Sequence, residues 1–132
     1  MQEPTRDRIL LVEDDLERAL IFRSVLEVAG FLVHIELDGV RALRYAAHHH
    51  SDLIILEAKL PDMDGLWVCQ EVRNLCADWV IPALVLTAPN GSSDLLEQMT
   101  DGATLSLANT CEPIDILKAI SLLLSLAQPA LS

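Results

Sequence analysis

Acidic side chains stand at the points where two apolar runs of this sequence end. Glu13 and Asp14 come directly after the run at 9–12, and Glu57 follows the run at 53–56. Carboxylates held ~5 Å apart repel each other by roughly 3 kcal/mol per pair at an effective dielectric constant of about 20. A divalent cation such as Mg²⁺, or a proton on one carboxylate, relieves that repulsion. These acids therefore predict a cation site, provided that the fold brings them together.

A simpler role is open to the acidic pair Asp14-Asp15, which precedes a segment of helical periodicity. A carboxylate at the start of a helix accepts hydrogen bonds from free amides and interacts favourably with the helix dipole. Taken alone, the pair is better explained by helix capping than by a cation site.

Short apolar runs alternate along the chain with segments of helical periodicity. Five runs predict β-strands, at 8–13, 31–37, 53–56, 82–87 and 104–108. Five segments predict helices, at 16–30, 40–50, 65–79, 94–100 and 112–127. The runs are continuously apolar rather than alternating, which is typical of a parallel sheet that helices cover on both faces. The sequence therefore predicts a doubly wound α/β domain with a five-stranded parallel sheet.

The carboxyl ends of the strands in such a sheet meet at one edge, where ligands bind near the reversal of strand order. The first strand delivers Glu13 and Asp14 to this edge, the third delivers Glu57, the fourth ends in Thr87, and the fifth runs towards Asn109. We therefore expect these side chains to form one acidic pocket.

Length and composition limit the class of protein. The 132 residues suit one domain, which we place at 8–127, between an extension at 1–7 and a tail at 128–132. A net charge of −11 argues against direct nucleic-acid binding by this domain, because phosphate contacts need a basic surface. No apolar run approaches the ~20 residues that span a bilayer. Three cysteines without an export signal favour a reducing compartment, so we expect a cytoplasmic location without membrane contact.

Four strings, ILLVEDD, DLIILEAKLPDMDG, ALVLTA and GATLSL, resemble the CheY-like receiver domain of two-component response regulators over about 8–124. The resemblance implies a flavodoxin-like (βα)5 fold, in which a histidine kinase transfers a phosphoryl group to an aspartate that ends the third strand. It also implies a Mg²⁺ site formed by Glu13, Asp14, Glu57 and the backbone carbonyl of Lys59.

Three positions of the family's phosphorylation switch differ in this sequence. Glu57 stands at the acceptor position, Asn109 replaces a lysine, and Ser106 replaces an aromatic residue that moves on activation, whereas Thr87 keeps the family's phosphoryl-binding hydroxyl. Glutamate displaces the nucleophilic oxygens by roughly 1.5 Å, and misplacement on that scale costs about 10²-fold in phosphoryl transfer. Asn109 offers only a neutral dipole to the negative charge that develops on the transferring group.

These departures predict an atypical, degenerate receiver that is not an enzyme and acts as a protein–protein interaction module without ordinary phosphorylation. The alternative is a receiver that accepts a phosphoryl group on Glu57, or is kept active by Glu57 as a mimic, and controls a DNA-binding output domain. We expect only millimolar Mg²⁺ binding, because Glu57 lengthens one arm of a site that requires near-ideal octahedral geometry. The expected partners are a histidine kinase, an output domain or a second copy of the chain.

The last helical segment carries more apolar residues than one buried face requires. Its polar stripe is narrow and consists of Asp115, Lys118, Ser121 and Ser125. A surface helix normally buries a single apolar stripe, so the surplus predicts an exposed apolar surface and a partner for it. We assign the interface of a homodimer to Ile116, Leu123 and Leu126. The alternative is that the rest of the fold encloses this helix.

Overall fold

The structure is a computed structural model and describes residues 7–75, 80–89 and 103–127. Its strands are β1 (Arg8–Val12), β2 (Leu32–Glu36), β3 (Leu53–Glu57), β4 (Ala83–Thr87) and β5 (Thr104–Ala108). The helices among these residues are α1 (Leu16–Val28), α2 (Gly39–His48), α3 (Gly65–Leu75) and α4 (Pro113–Ala127). The strands form one five-stranded sheet of order β2-β1-β3-β4-β5, and every neighbouring pair is parallel. The predicted doubly wound α/β sheet is therefore confirmed.

Alternate residues of the central strands fill two separate cores. Ile9 and Leu11 face α1 and α4, whereas Leu10 and Val12 face α2 and α3. Both faces of the sheet are thus covered by helices, which is the physical reason for the continuously apolar runs. Within the described ranges, no helix is long and apolar enough to cross a membrane.

The strand order reverses beside β1. The chain runs from β1 to β2 on one side and then crosses to β3 on the other, since both strands pair with β1. The crevice at the carboxyl ends of β1 and β3 is therefore the ligand position that this topology favours. Glu57 ends β3 at this crevice, and Glu13 follows β1 into it.

Aspartate side chains cap the first two helices. The side chain of Asp15 accepts a hydrogen bond from the Arg18 amide at 3.1 Å, so this half of the acidic pair is a helix cap. Asp38 caps α2 in the same way through the Arg41 amide at 2.8 Å. Gly30 follows α1 with a φ of 103°, a conformation that favours glycine. The helix predicted at 94–100 lies outside the described residues.

The interface predicted on the last helix is wrong for two of its three residues. Ile116 and Leu123 are each 1% exposed, because α4 packs them against the sheet and α1. Leu126 lies outside the side chains that the structure describes. Among the described side chains of α4, the exposed large apolar residues are instead Ile114, at 55%, and Leu122, at 50%. The last helix does expose apolar side chains, but its rotation about its axis exposes residues other than those predicted.

Asp62, in the loop between β3 and α3, binds the start of α2. Its carboxylate oxygens accept hydrogen bonds from the amides of Gly39 at 2.8 Å and Val40 at 2.9 Å. The bond from Gly39, followed by that from Val40, holds the pKa of Asp62 below its ordinary value of 3.8. A carboxyl group whose pKa is lower in the folded than in the unfolded state stabilises the fold at pH values above its unfolded-state pKa. That stabilisation is lost as the pH falls through the folded pKa.

We expect Asp62→Asn to melt at a lower temperature than the wild type near neutral pH, because asparagine lacks the charge and one of the two acceptor oxygens. Circular dichroism melts of both proteins should show this difference shrinking as the pH falls below the ordinary aspartate pKa of 3.8 and through the lower pKa of the folded-state carboxylate. A difference that stays constant down to about pH 2 would show that the charge of Asp62 has no role.

Candidate functional site

A pocket of about 420 Å³ opens at the carboxyl ends of β1, β3 and β4. The residues predicted for this edge that line it are Glu13, Asp14, Glu57, Lys59, Thr87 and Asn109. Ser106 does not line it: its strand position pairs with Val85, and its side chain is exposed. The structure thus brings the acidic residues together. Ser106, which stands where the family resemblance places an aromatic residue, lies outside the pocket.

Two carboxylates are buried in this pocket. Glu13 is fully buried and Glu57 is 5% exposed. Glu13 Oε1 accepts a hydrogen bond from the Asp15 amide at 3.1 Å, whereas its buried Oε2 has no hydrogen-bond partner among the described residues. Burial, with a further contribution from the neighbouring Glu57, raises the pKa of Glu13 to about 8. The raised pKa favours the protonated form of Glu13, in which its repulsion with Glu57 is reduced.

Arg18, in the first turn of α1, extends over the same carboxylates. Its Nη1 lies 3.1 Å from Glu57 Oε1 and 3.6 Å from Glu13 Oε1. Helical side chains lean towards the N-terminus of their helix, which here points at the strand ends. Arg18 is the site residue that sequence reasoning missed. The available signal was a basic residue three positions after the helix cap Asp15, on the turn nearest the acidic pocket.

The loop that follows β3 holds the backbone of Glu57 in place. The Ala58 amide donates to the Leu86 carbonyl at 2.8 Å, and the Gly65 amide donates to the Ala58 carbonyl at 2.8 Å. A Cβ atom on Gly65 would collide with the carbonyl oxygen of Glu57. Only glycine therefore permits so close a return of the chain to the end of β3.

The segment LPDMDG completes this loop. Lys59 pairs with Asp64 in an isolated antiparallel bridge, and the Leu60 amide donates to the Met63 carbonyl at 3.1 Å. Asp64 Oδ1 accepts a hydrogen bond from the Leu66 amide at 2.9 Å and so satisfies an amide at the start of α3. The loop is therefore closed by its own hydrogen bonds.

Thr87 and Asn109 line the pocket from the ends of β4 and β5. The Asn109 amide donates to the Thr87 carbonyl at 2.7 Å, so the strand pairing continues one residue beyond β5. The side chain of Asn109 is neutral, and the cations among the described pocket residues are Arg18 and Lys59. The positive charge nearest Glu57 thus comes from α1 rather than from the loop after β5.

The acidic residues in this arrangement do not fit Mg²⁺. Within the described parts of the chain, no group of three or more His, Cys, Asp or Glu is placed to hold a metal ion. Glu57 Oε1 and Glu13 Oε1 both lie beside the Arg18 guanidinium, and Asp14 is exposed. Mg²⁺ requires near-ideal octahedral oxygen geometry, whereas here a guanidinium faces the two buried carboxylates.

The sequence has clear relatives among known proteins. Residues 9–121 match the model of the response regulator receiver domain family. Response regulator MprA of Mycobacterium leprae (strain TN) is 34% identical over 122 residues, which cover 92% of this chain and 53% of that protein. Response regulator MprA of Mycobacterium sp. (strain KMS) is 36% identical over 96 residues, which cover 73% of this chain and 41% of that protein. The chain thus spans about half the length of the curated relatives it matches.

Solved structures share the same architecture. A CheY-like receiver domain protein from Methanospirillum hungatei JF-1 has a TM-score of 0.81 at 22% identity, covering 92% of this chain and 95% of that one. Chemotaxis protein CheY4 of Vibrio cholerae has a TM-score of 0.78 at 28% identity, covering 89% and 98% respectively. The flavodoxin-like arrangement is therefore common to all three.

Proposed function

This chain belongs to the response regulator receiver domain family, and from that membership we propose that it is an atypical receiver in two-component signalling. It acts as a protein–protein interaction module whose state is not set by ordinary phosphorylation at the end of β3. Its proposed partners are a histidine kinase, an output domain or a second copy of the chain. The surface for a second copy excludes Ile116 and Leu123, since the fold buries both.

The observation that carries this proposal is the state of Glu57. Its carboxylate is almost fully buried, and its Oε1 lies 3.1 Å from the Arg18 guanidinium. A carboxylate oxygen attacks a phosphoryl group only when it is free, correctly placed and in line with the leaving group. Glu57 is longer than an aspartate by one methylene, and one of its oxygens already accepts a charge-assisted hydrogen bond.

The residues around Glu57 support the same proposal. Asn109 lines the pocket where the family resemblance places a lysine, and a neutral amide stabilises developing phosphoryl charge less well than an ammonium group. Ser106 has an exposed side chain without a ring, so it offers no aromatic group that could turn towards Thr87. A phosphoryl group on Glu57 would therefore lack both the ammonium group that the family resemblance places after β5 and the aromatic residue that moves on activation.

We expect no covalent change when the protein is incubated with acetyl phosphate and Mg²⁺ and its intact mass is measured. A receiver with aspartate at the acceptor position, treated in parallel, shows that the phosphodonor is active. Glu57→Gln provides the matched control. A gain of one phosphoryl group by the wild type that is absent from Glu57→Gln would contradict the proposal and favour a receiver that accepts the group on Glu57.

The alternative that Glu57 mimics a phosphorylated aspartate is favoured by one feature, its ion pair with Arg18. This pair holds a negative charge at the acceptor position of the domain. A carboxylate nevertheless carries one charge and two oxygens, compared with nearly two charges and three oxygens on a phosphoryl group. The interaction module without a phosphorylation switch therefore remains our preferred function.

A further inference from the structure

Arg18 holds its guanidinium where the family resemblance predicts a divalent cation. Its Nη1 lies 3.1 Å from Glu57 Oε1 and 3.6 Å from Glu13 Oε1, so it is near both buried carboxylates. We propose that Arg18 is the resident cation of this pocket and that its guanidinium replaces a metal ion and excludes Mg²⁺ from the site. Arginine stays protonated at all physiological pH values, so this cation is permanent.

The position of Arg18 is fixed by its backbone as well as by its side chain. Its amide donates to the Asp15 carboxylate at 3.1 Å, which anchors this residue in the first turn of α1. A cation attached to the protein competes at an effective concentration of millimolar or higher, without any loss of overall translational freedom. Mg²⁺ would have to displace it and also lose part of a firmly held hydration shell. Competition in the pocket therefore favours Arg18.

The pocket contains an acceptor that Arg18 does not satisfy. Glu13 Oε2 is buried and has no hydrogen-bond partner among the described residues. Arg18 also lines a neighbouring groove of about 480 Å³, together with Phe22 and Asn109. Removal of the guanidinium would therefore deprive Glu57 Oε1 of its partner, beside the buried Glu13 Oε2 and an enlarged, solvent-accessible space. Those oxygens are the hard ligands that divalent cations prefer.

Titration calorimetry with MgCl2, without a phosphodonor, tests this proposal on the wild type, Arg18→Ala and Arg18→Met. We expect the wild type to show no saturable binding below about 1 mM, and both variants to bind at least about tenfold more tightly. Arg23→Ala is the matched control, because Arg23 lies on the same helix and pairs with Glu27 at 3.9 Å, away from the pocket. This control should behave as the wild type.

Thermal unfolding gives a second readout that does not depend on binding heat. A ligand that binds only the folded state raises its melting temperature, so Mg²⁺ should stabilise both Arg18 variants and leave the wild type unchanged. Micromolar Mg²⁺ binding by the wild type would overturn the proposal, as would variants that bind no more tightly than the wild type. An occupied pocket is one reason for the proposed absence of phosphorylation. The two experiments nevertheless test separate claims. The mass measurement tests phosphorylation, whereas the metal titration contains no phosphodonor and tests Mg²⁺ binding alone.

Discussion

Gly65→Ala is expected to lower the free energy of unfolding by about 3 kcal/mol or more, because its new methyl group enters occupied backbone space. The added Cβ would collide with the carbonyl oxygen of Glu57, and its next neighbours are backbone atoms of Glu57 and Ala58. This backbone cannot retreat easily, since the Ala58 amide is bound to the Leu86 carbonyl at 2.8 Å. Urea denaturation followed by circular dichroism measures the loss.

Gly39→Ala is the matched control for Gly65→Ala. A Cβ on Gly39 would also be overcrowded, but the atoms in its way belong to the side chains of Met63 and Val68. The methionine side chain is flexible and can change rotamer, so we expect a smaller loss of about 1 kcal/mol. Equal losses for the two variants would show that the close return of the chain to Glu57 imposes no special constraint.

The strands, and the meeting of their carboxyl ends at one edge of the sheet, could be predicted because a short stretch of sequence indicates each strand. Continuous apolar runs such as 53–56 reflect burial on both faces, which the two cores of the sheet confirm. Once the strands are parallel, chain geometry alone brings Glu13, Glu57 and Thr87 to one edge. The acidic pocket was therefore predictable without knowledge of any side-chain contact.

Other features depend on how a helix is rotated about its axis and on how far a long side chain extends. The spacing of residues in the sequence determines neither. The apolar surplus of α4 was visible, but the assignment of Ile116 and Leu123 to an interface failed because packing against α1 and the sheet sets the helix rotation. Arg18 was missed because its long side chain reaches across the pocket to Glu57, 39 positions away in the sequence. Such long-range contacts of flexible side chains follow from the assembled fold rather than from a local pattern.

Arg73 also makes long-range contacts of this kind, at the amino ends of the strands, opposite the pocket. Its Nε and Nη2 donate to the Ile81 carbonyl at 3.1 and 3.0 Å, and Nη2 also lies 3.2 Å from the Ala103 carbonyl and 2.9 Å from Thr104 Oγ1. One guanidinium thus joins α3 to the chain entering β4 and β5. The planar fork of arginine suits several acceptors at once.

Arg73→Met is expected to lower the free energy of unfolding by about 3 kcal/mol, because it leaves partly buried acceptors without a charged donor. Arg73→Lys should lose less, since an ammonium group keeps the charge but lacks the planar fork. Arg44→Met, at an exposed position of α2, should change stability by less than about 0.5 kcal/mol in the same urea titration. A loss that small for Arg73→Met would show that water replaces the guanidinium without cost.

A comparison of Gly65→Ala with Arg73→Met also distinguishes the effect of overall stability from the effect of pocket geometry. Gly65→Ala acts on the backbone of Glu57, whereas Arg73→Met acts where β4 and β5 begin, at the far edge of the sheet. Arg73→Met should therefore leave the Arg18–Glu57 ion pair intact, and its folded state should resist Mg²⁺ as the wild type does. If Arg73→Met bound Mg²⁺ while folded, exclusion of the metal would depend on overall rigidity rather than on the guanidinium of Arg18.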